Sequence, residues 1–152
     1  MRPEFSGIFE YLQYLHEGIF LAFHDLPQEA LDWLPGPEMN SLAVNVMHTA
    51  GAQRYWIGEV VGGDPAHRDR AAEFMTQGLP APALQARLEA ALSHTAQTLE
   101  KLRPENLGGL RLSPRDGRRV SVNWCLSHAI GHTALHLGHM QIIRQLWDQR
   151  KT

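Results

Sequence analysis

The 152-residue chain sets 14 Lys and Arg against 16 Asp and Glu, a formal charge of −2, without a long run of either sign. That balance excludes the electrostatic footprint of a nucleic-acid-binding protein. The single cysteine, Cys125, cannot form an internal disulfide. The first residues lack a basic start followed by an apolar run, and no apolar stretch is long enough to cross a bilayer, so a soluble, cytoplasmic protein is expected.

A chain of this length can bury a core without crosslinks, and one domain over residues 1–152 is expected. Ile8, Leu12, Leu15, Ile19 and Phe23 recur at three- and four-residue spacing and predict a first helix from Phe5 to His24. Pro27, Pro35, Gly36 and Pro37 then impose a packed connection, with a short turn over 28–33. Asn40 and Ser41 offer an N-cap for a second helix from about Ser41 to Val61, which Gly62-Gly63-Asp64-Pro65 ends. Gly51, inside that helix, costs roughly 1 kcal/mol relative to alanine and marks close packing of a neighbour. The polar stretch His67 to Gln77 reads as a surface connection.

A third helix is predicted from about Ala83 to Leu102, its inward stripe drawn by Leu84, Leu88, Ala91, Thr95, Leu99 and Leu102. Asp116-Gly117, set between Leu110-Arg111-Leu112 and Val120-Ser121-Val122, predicts a short two-stranded hairpin. The fourth and longest helix runs from about Ser121 to Gln149. Four such elements without a sustained strand pattern define an all-α class and a four-helix bundle.

The unusual feature is the nine histidines. His128, His132, His136 and His139 fall within an arc of roughly 80° on the fourth helix. Trp124, Leu135, Ile142 and Leu146 continue the column, which points the histidines toward the bundle interior. Buried imidazoles on adjacent turns are costly without partners, and a metal ion removes that cost. Two histidines at i and i+4 reach a common ion, and the remaining ligand must come from another helix. His48, in the apolar run Leu42 to Met47 of the second helix, is the best candidate. His16 belongs to the first helix, while His67 and His94 read as exposed residues of a loop and a helix face. Carboxylates at the right depth are scarce, which argues against a di-iron site of the Glu-x-x-His type. The competing reading of the column is a polar seam satisfied by carbonyls and water.

The segment Trp124 through His128, His132 and His136 to Gly138-His139 resembles the last-helix pattern of the DinB/YfiT-like superfamily of metal-dependent enzymes. Asn40-Ser41-Leu42 through His48 to Trp56 is similar to its second-helix motif, and Leu31 to Pro37 to the connection before it. The resemblance implies a four-helix bundle, often dimeric, with a divalent metal, zinc or nickel first, on His48, His132 and His136. Three protein ligands leave a position open for water or substrate. It also implies a thiol-dependent S-transferase or a related isomerase or hydrolase, with a low-molecular-weight thiol as cosubstrate. His128 and Tyr55 become pocket candidates. His139, where a glutamine is common in the superfamily, becomes a candidate for a hydrogen bond behind the ligands. The alternative is a stress-associated metal-binding protein without turnover, in which the ion stabilises the bundle or its dimer.

Overall fold

The computed structural model describes residues 1–150, so the last two positions of the expected domain lie outside the described residues. The chain builds a four-helix bundle, with Pro3–Phe23 as α1 and Gln28–Asp32 as the short α2. Leu42–Gln53 is α3, which passes without a break into a π-helical segment, Arg54–Val61. Arg70–Phe74 is α4, Ala81–Lys101 is α5, and Val122–Gln149 is α6. Pro104–Asn106 forms one 3-10 turn, and β1 (Leu110–Leu112) pairs antiparallel with β2 (Arg119–Ser121) in the register Arg111 opposite Val120.

In the bundle α1 packs along α5 and α6, and α3 packs along the same two, so α1 and α3 stand on opposite sides of the core. Phe5, Leu12, Ile19 and Phe23 of α1 are fully buried, and the six-residue stripe expected for the third helix is buried throughout. Across the centre, the His16 ring meets Gln53 Oε1 through Nε2 at 2.8 Å, while Gln53 Nε2 donates to Thr95 Oγ1 at 2.9 Å. This polar thread ties α1, α3 and α5 together. Ser41 caps α3 by accepting from the Val44 N–H, and Ser121 caps α6 by accepting from the Trp124 N–H. The hairpin forms with its first strand on the expected residues and its second shifted by one, since Val122 already begins α6, and Gly117 lies in the left-handed region at φ 69°.

Three expectations are corrected. The second helix is not α-helical to Val61: from Arg54 its turns widen, and the Arg54 N–H is shared between the Ala50 and Gly51 carbonyls. The stretch 67–77 is not merely a surface connection, because α4 lies inside it, started by Asp69, whose side chain accepts from the Ala72 N–H. The histidine column does not point straight into the core. Leu135 and Ile142, which continue it, are 58% and 52% exposed, and Trp124 and Leu146 are exposed as well. The buried face of α6 is drawn by Cys125, Leu126, Ala129, Thr133, Leu137, Met140, Ile143 and Trp147. At about 100° per residue that face lies roughly a quarter turn from the column. The histidines therefore occupy the boundary between core and solvent.

Candidate metal centre

On α3, His48 is held 93% buried by the apolar run around it, since its own exposure is 7%. On α6, His132 and His136 stand one turn apart at the edge of the buried face and are half-buried. The α3 and α6 contact brings these three rings together, with centroids 5.0 Å apart for His48 with each of the other two and 4.4 Å for His132 with His136. Their candidate ligand nitrogens all lie within 4.8 Å of one another. His48 Nε2 and His132 Nε2 face each other at 3.2 Å. Two nitrogens bound tetrahedrally at about 2.0–2.1 Å from one ion stand roughly 3.3 Å apart, so the donor set fits a small divalent cation.

The rings are also oriented from behind. His48 Nδ1–H donates to Glu73 Oε2 at 3.0 Å, and Arg68 clasps the same carboxylate, Nε to Oε1 and Nη2 to Oε2, both at 2.6 Å. His136 Nδ1–H donates to Asn45 Oδ1 at 3.0 Å, and the Asn45 amide is fixed in turn by donating to the Ser41 carbonyl. A hydrogen on Nδ1 leaves Nε2 bare, which is the form that ligates.

Electrostatics favour the same form. Burial, then the neighbouring His136, His48 and His128 rings, push the His132 imidazole down to about 3. Burial and the His48 and His139 rings push His136 down to about 4. Both are neutral at physiological pH and free to donate a lone pair. For Glu73, burial favours the protonated form, but Arg68 and His48 outweigh it and hold the carboxyl below its usual range.

The other expected residues stand around this cluster without joining it. His128 stacks on Trp124 at 4.7 Å between ring centroids, with Trp56 edge-on at 5.1 Å, and its centroid is 5.7 Å from that of His132. Burial, with Arg118 and Arg115 nearby, lowers its pKa. The Tyr55 hydroxyl is engaged by Ser113 Oγ at 2.8 Å and accepts from the Arg115 N–H at 3.1 Å. Its side chain borders a cavity of about 330 Å³ shared with Arg68, Arg70 and Arg115. His139 is exposed, its centroid 5.4 Å from that of His136, beside a smaller cavity of about 220 Å³ that Asn45 and Ile142 also border. His67 is exposed, as expected. His94 is half-buried and not exposed, 3.3 Å from Asp64, because α5 lies against the π-helical segment.

Glu73, Arg68 and Asn45 escaped the sequence reading. Two signals were present: Asp69 followed by Arg70-Ala71-Ala72-Glu73 is a cap and a helical turn, and Gly51 called for a close neighbour. That neighbour is Glu73, since a Cβ at position 51 would land on its Oε1, with Cδ only 2.8 Å away.

The bundle with three converging imidazoles defines a protein of DinB-like fold whose histidine cluster has the geometry to hold one metal ion. The mycothiol-S-transferase family model matches residues 7–149, and the chain belongs to that family. A conserved protein from Enterococcus faecalis has a similar structure, with a TM-score of 0.80 at 18% identity over 96% of this chain and 97% of that one. A DinB-like protein from Bacillus cereus is also similar, with a TM-score of 0.74 at 16% identity over 92% of this chain and 90% of that one. At these identities the two likenesses show the fold. No curated protein matches the chain by sequence.

Proposed function

We propose that this protein is a metal-dependent thiol S-transferase in which His48, His132 and His136 hold one divalent ion, zinc or nickel, and a low-molecular-weight thiol such as mycothiol is the cosubstrate. The observation that carries the reading is the convergence of three imidazoles from two helices within 4.8 Å, in a chain of a thiol-transferase family. A divalent cation held there lowers the pKa of a thiol or water at its open position, supplying a nucleophile at neutral pH.

The chain's own residues do the rest. The half-buried position of His132 and His136 leaves the cluster reachable from solvent, which suits a substrate-accepting centre better than a sealed structural one. His128, held neutral between Trp124 and Trp56, offers a base beside the cluster. Tyr55 and His139 border the cavities at its flanks and shape the pocket. Cys125 is not the nucleophile, because burial pushes its thiol up to about 11. The thiol is therefore supplied from outside the chain. This reading places the protein in the cytoplasm, where such thiols stay reduced, and as a homodimer. Among the described residues no helix is long and apolar enough to cross a membrane.

The test is elemental analysis of protein purified without a histidine tag, followed by cobalt substitution. One equivalent of metal, and a visible spectrum that changes when mycothiol or another small thiol is added, are expected. Stoichiometric cobalt whose spectrum ignores every cellular thiol would remove the transferase reading and leave a metal-binding protein. Sedimentation velocity at micromolar concentration checks the homodimer.

A further inference from the structure

We propose that Glu73 is a positioning residue of the metal centre, acting through His48 and itself held by Arg68; the proposal rests on the metal reading given above. Glu73 is 5% exposed, and a carboxylate at that depth is costly unless it is charged against a partner and hydrogen-bonded. Both conditions are met. Arg68 meets the two oxygens through Nε and Nη2, and Oε2 also accepts from His48 Nδ1 at 3.0 Å.

The surrounding structure is arranged to put the carboxylate there. The five-residue α4 carries it, Asp69 starts that helix, and the Thr76 hydroxyl donates to the Glu73 carbonyl at its end. Next to Glu73, Phe74 packs at a tilt against the His48 ring, with centroids 4.7 Å apart. On the facing helix, Gly51 leaves the space the carboxylate occupies, space that any Cβ would fill. An apolar side chain could cover this face of α3 without a buried charge or a glycine in mid-helix. The carboxylate makes two contacts an apolar side chain could not, the Arg68 pair and the bond to the His48 ring, and only the second reaches the histidine cluster.

Its consequence is a fixed tautomer. Arg68 Nη2 also lies 3.3 Å from His48 Nδ1, so the alternative would have Nδ1 accept from Arg68 and place the ring hydrogen on Nε2. The shorter 3.0 Å contact to an anionic acceptor favours Nδ1–H. Nε2 is then bare and faces His132. The three candidate ligands are unequal as a result: His48 is backed by a charged acceptor and His136 by the neutral Asn45 amide. No hydrogen bond backs His132 Nδ1 among the described residues. An anionic acceptor behind a ligating imidazole raises its basicity, and losing such a partner costs about 10–100-fold in metal affinity.

The test uses the full-length protein, stripped and titrated with zinc against a chromophoric chelator. Glu73→Gln, which keeps shape and removes charge, is expected to bind zinc about tenfold more weakly, and Glu73→Leu about a hundredfold. Gly51→Ala, which leaves Glu73 in the sequence but displaces its carboxylate, should fall between them; it also keeps the test decisive if the leucine variant fails to fold. Histidine-selective nitrogen NMR on the metal-free protein is the readout that mere packing would not move. His48 should carry its hydrogen on Nδ1 in the wild type and become a mixture of tautomers in Gly51→Ala. Zinc affinities within twofold of wild type in Glu73→Gln and Gly51→Ala, or a bare His48 Nδ1 in the wild type, would overturn the proposal and leave the metal reading standing. A wild type that takes up no metal would overturn both.

Discussion

A ring nitrogen becomes a ligand only when its hydrogen sits on the other nitrogen and the ring stays neutral, so counting histidines does not locate a metal centre. Of the nine in this chain, His48, His132 and His136 share one space, while His94 lies 3.3 Å from Asp64 and the His16 ring is spent on Gln53. The sequence discriminates among them through depth and spacing: i, i+4 on one helix, and an apolar run around His48 on another. It does not disclose what stands behind each ring, because Glu73 and Asn45 act through three-dimensional contact at separations of 25 and 91 residues. At this scale the prediction is a contrast between histidines. His132→Ala and His136→Ala should each lose stoichiometric metal, measured by elemental analysis after gel filtration, since two imidazoles hold an ion far less tightly than three. His94→Ala should keep it. Full metal retention in both α6 variants would remove the ligand assignment.

Among the elements, legibility followed length. Helices α1, α5 and α6 bury one face over about six to eight turns, so their periodicity repeats often enough to read, and Asp116-Gly117 marked the hairpin through its turn chemistry alone. The five residues of α4 complete barely more than one turn, too few to show any period. The misplaced face of α6 has a different cause: Leu135, Ile142 and Leu146 form one apolar stripe, and Cys125, Ala129, Thr133, Leu137 and Met140 another. Periodicity alone ranks the uniformly aliphatic stripe first, although the mixed one is the face that is buried. The hairpin, in turn, is tied to the bundle by Arg115 and Arg118 over Tyr55, Trp56 and Trp124 and by one buried hydroxyl. Tyr55 Oη meets Ser113 Oγ and accepts from the Arg115 N–H, and each such bond contributes about 0.5–1.5 kcal/mol net. Tyr55→Phe should therefore lower the unfolding free energy by about 1–2 kcal/mol in urea, with faster amide exchange confined to residues 110–121. A variant as stable as the wild type, with unchanged exchange in the hairpin, would show that the hydroxyl does not anchor it.

For the molecule as a whole, closure of the bundle joins the end of its first helix to the last turns of its final one. Arg144 on α6 reaches Asp25, just beyond α1, through two contacts at 2.5 and 3.1 Å, and donates from Nε to Asp148 at 2.7 Å. The Arg144 hydrogen bond to Asp25 holds that carboxyl below the usual carboxylate range. A folded-state pKa lower than the unfolded one contributes stability that is complete above the unfolded value, near 3.9, and fades as pH falls through the folded value. Asp25 is half exposed, so solvent screening limits the pair to about 1 kcal/mol despite its bidentate geometry. Arg144→Ala should thus lower the melting temperature at pH 7 by about 2–4 °C. The gap between variant and wild type should narrow below about pH 3.5 and in molar salt. Thermal melts by circular dichroism from pH 7 down to pH 2.5 check it. A gap that stays constant over that range would mean the Arg144 side chain acts through the packing of its aliphatic stem and not through charge, because packing does not respond to protonation of Asp25.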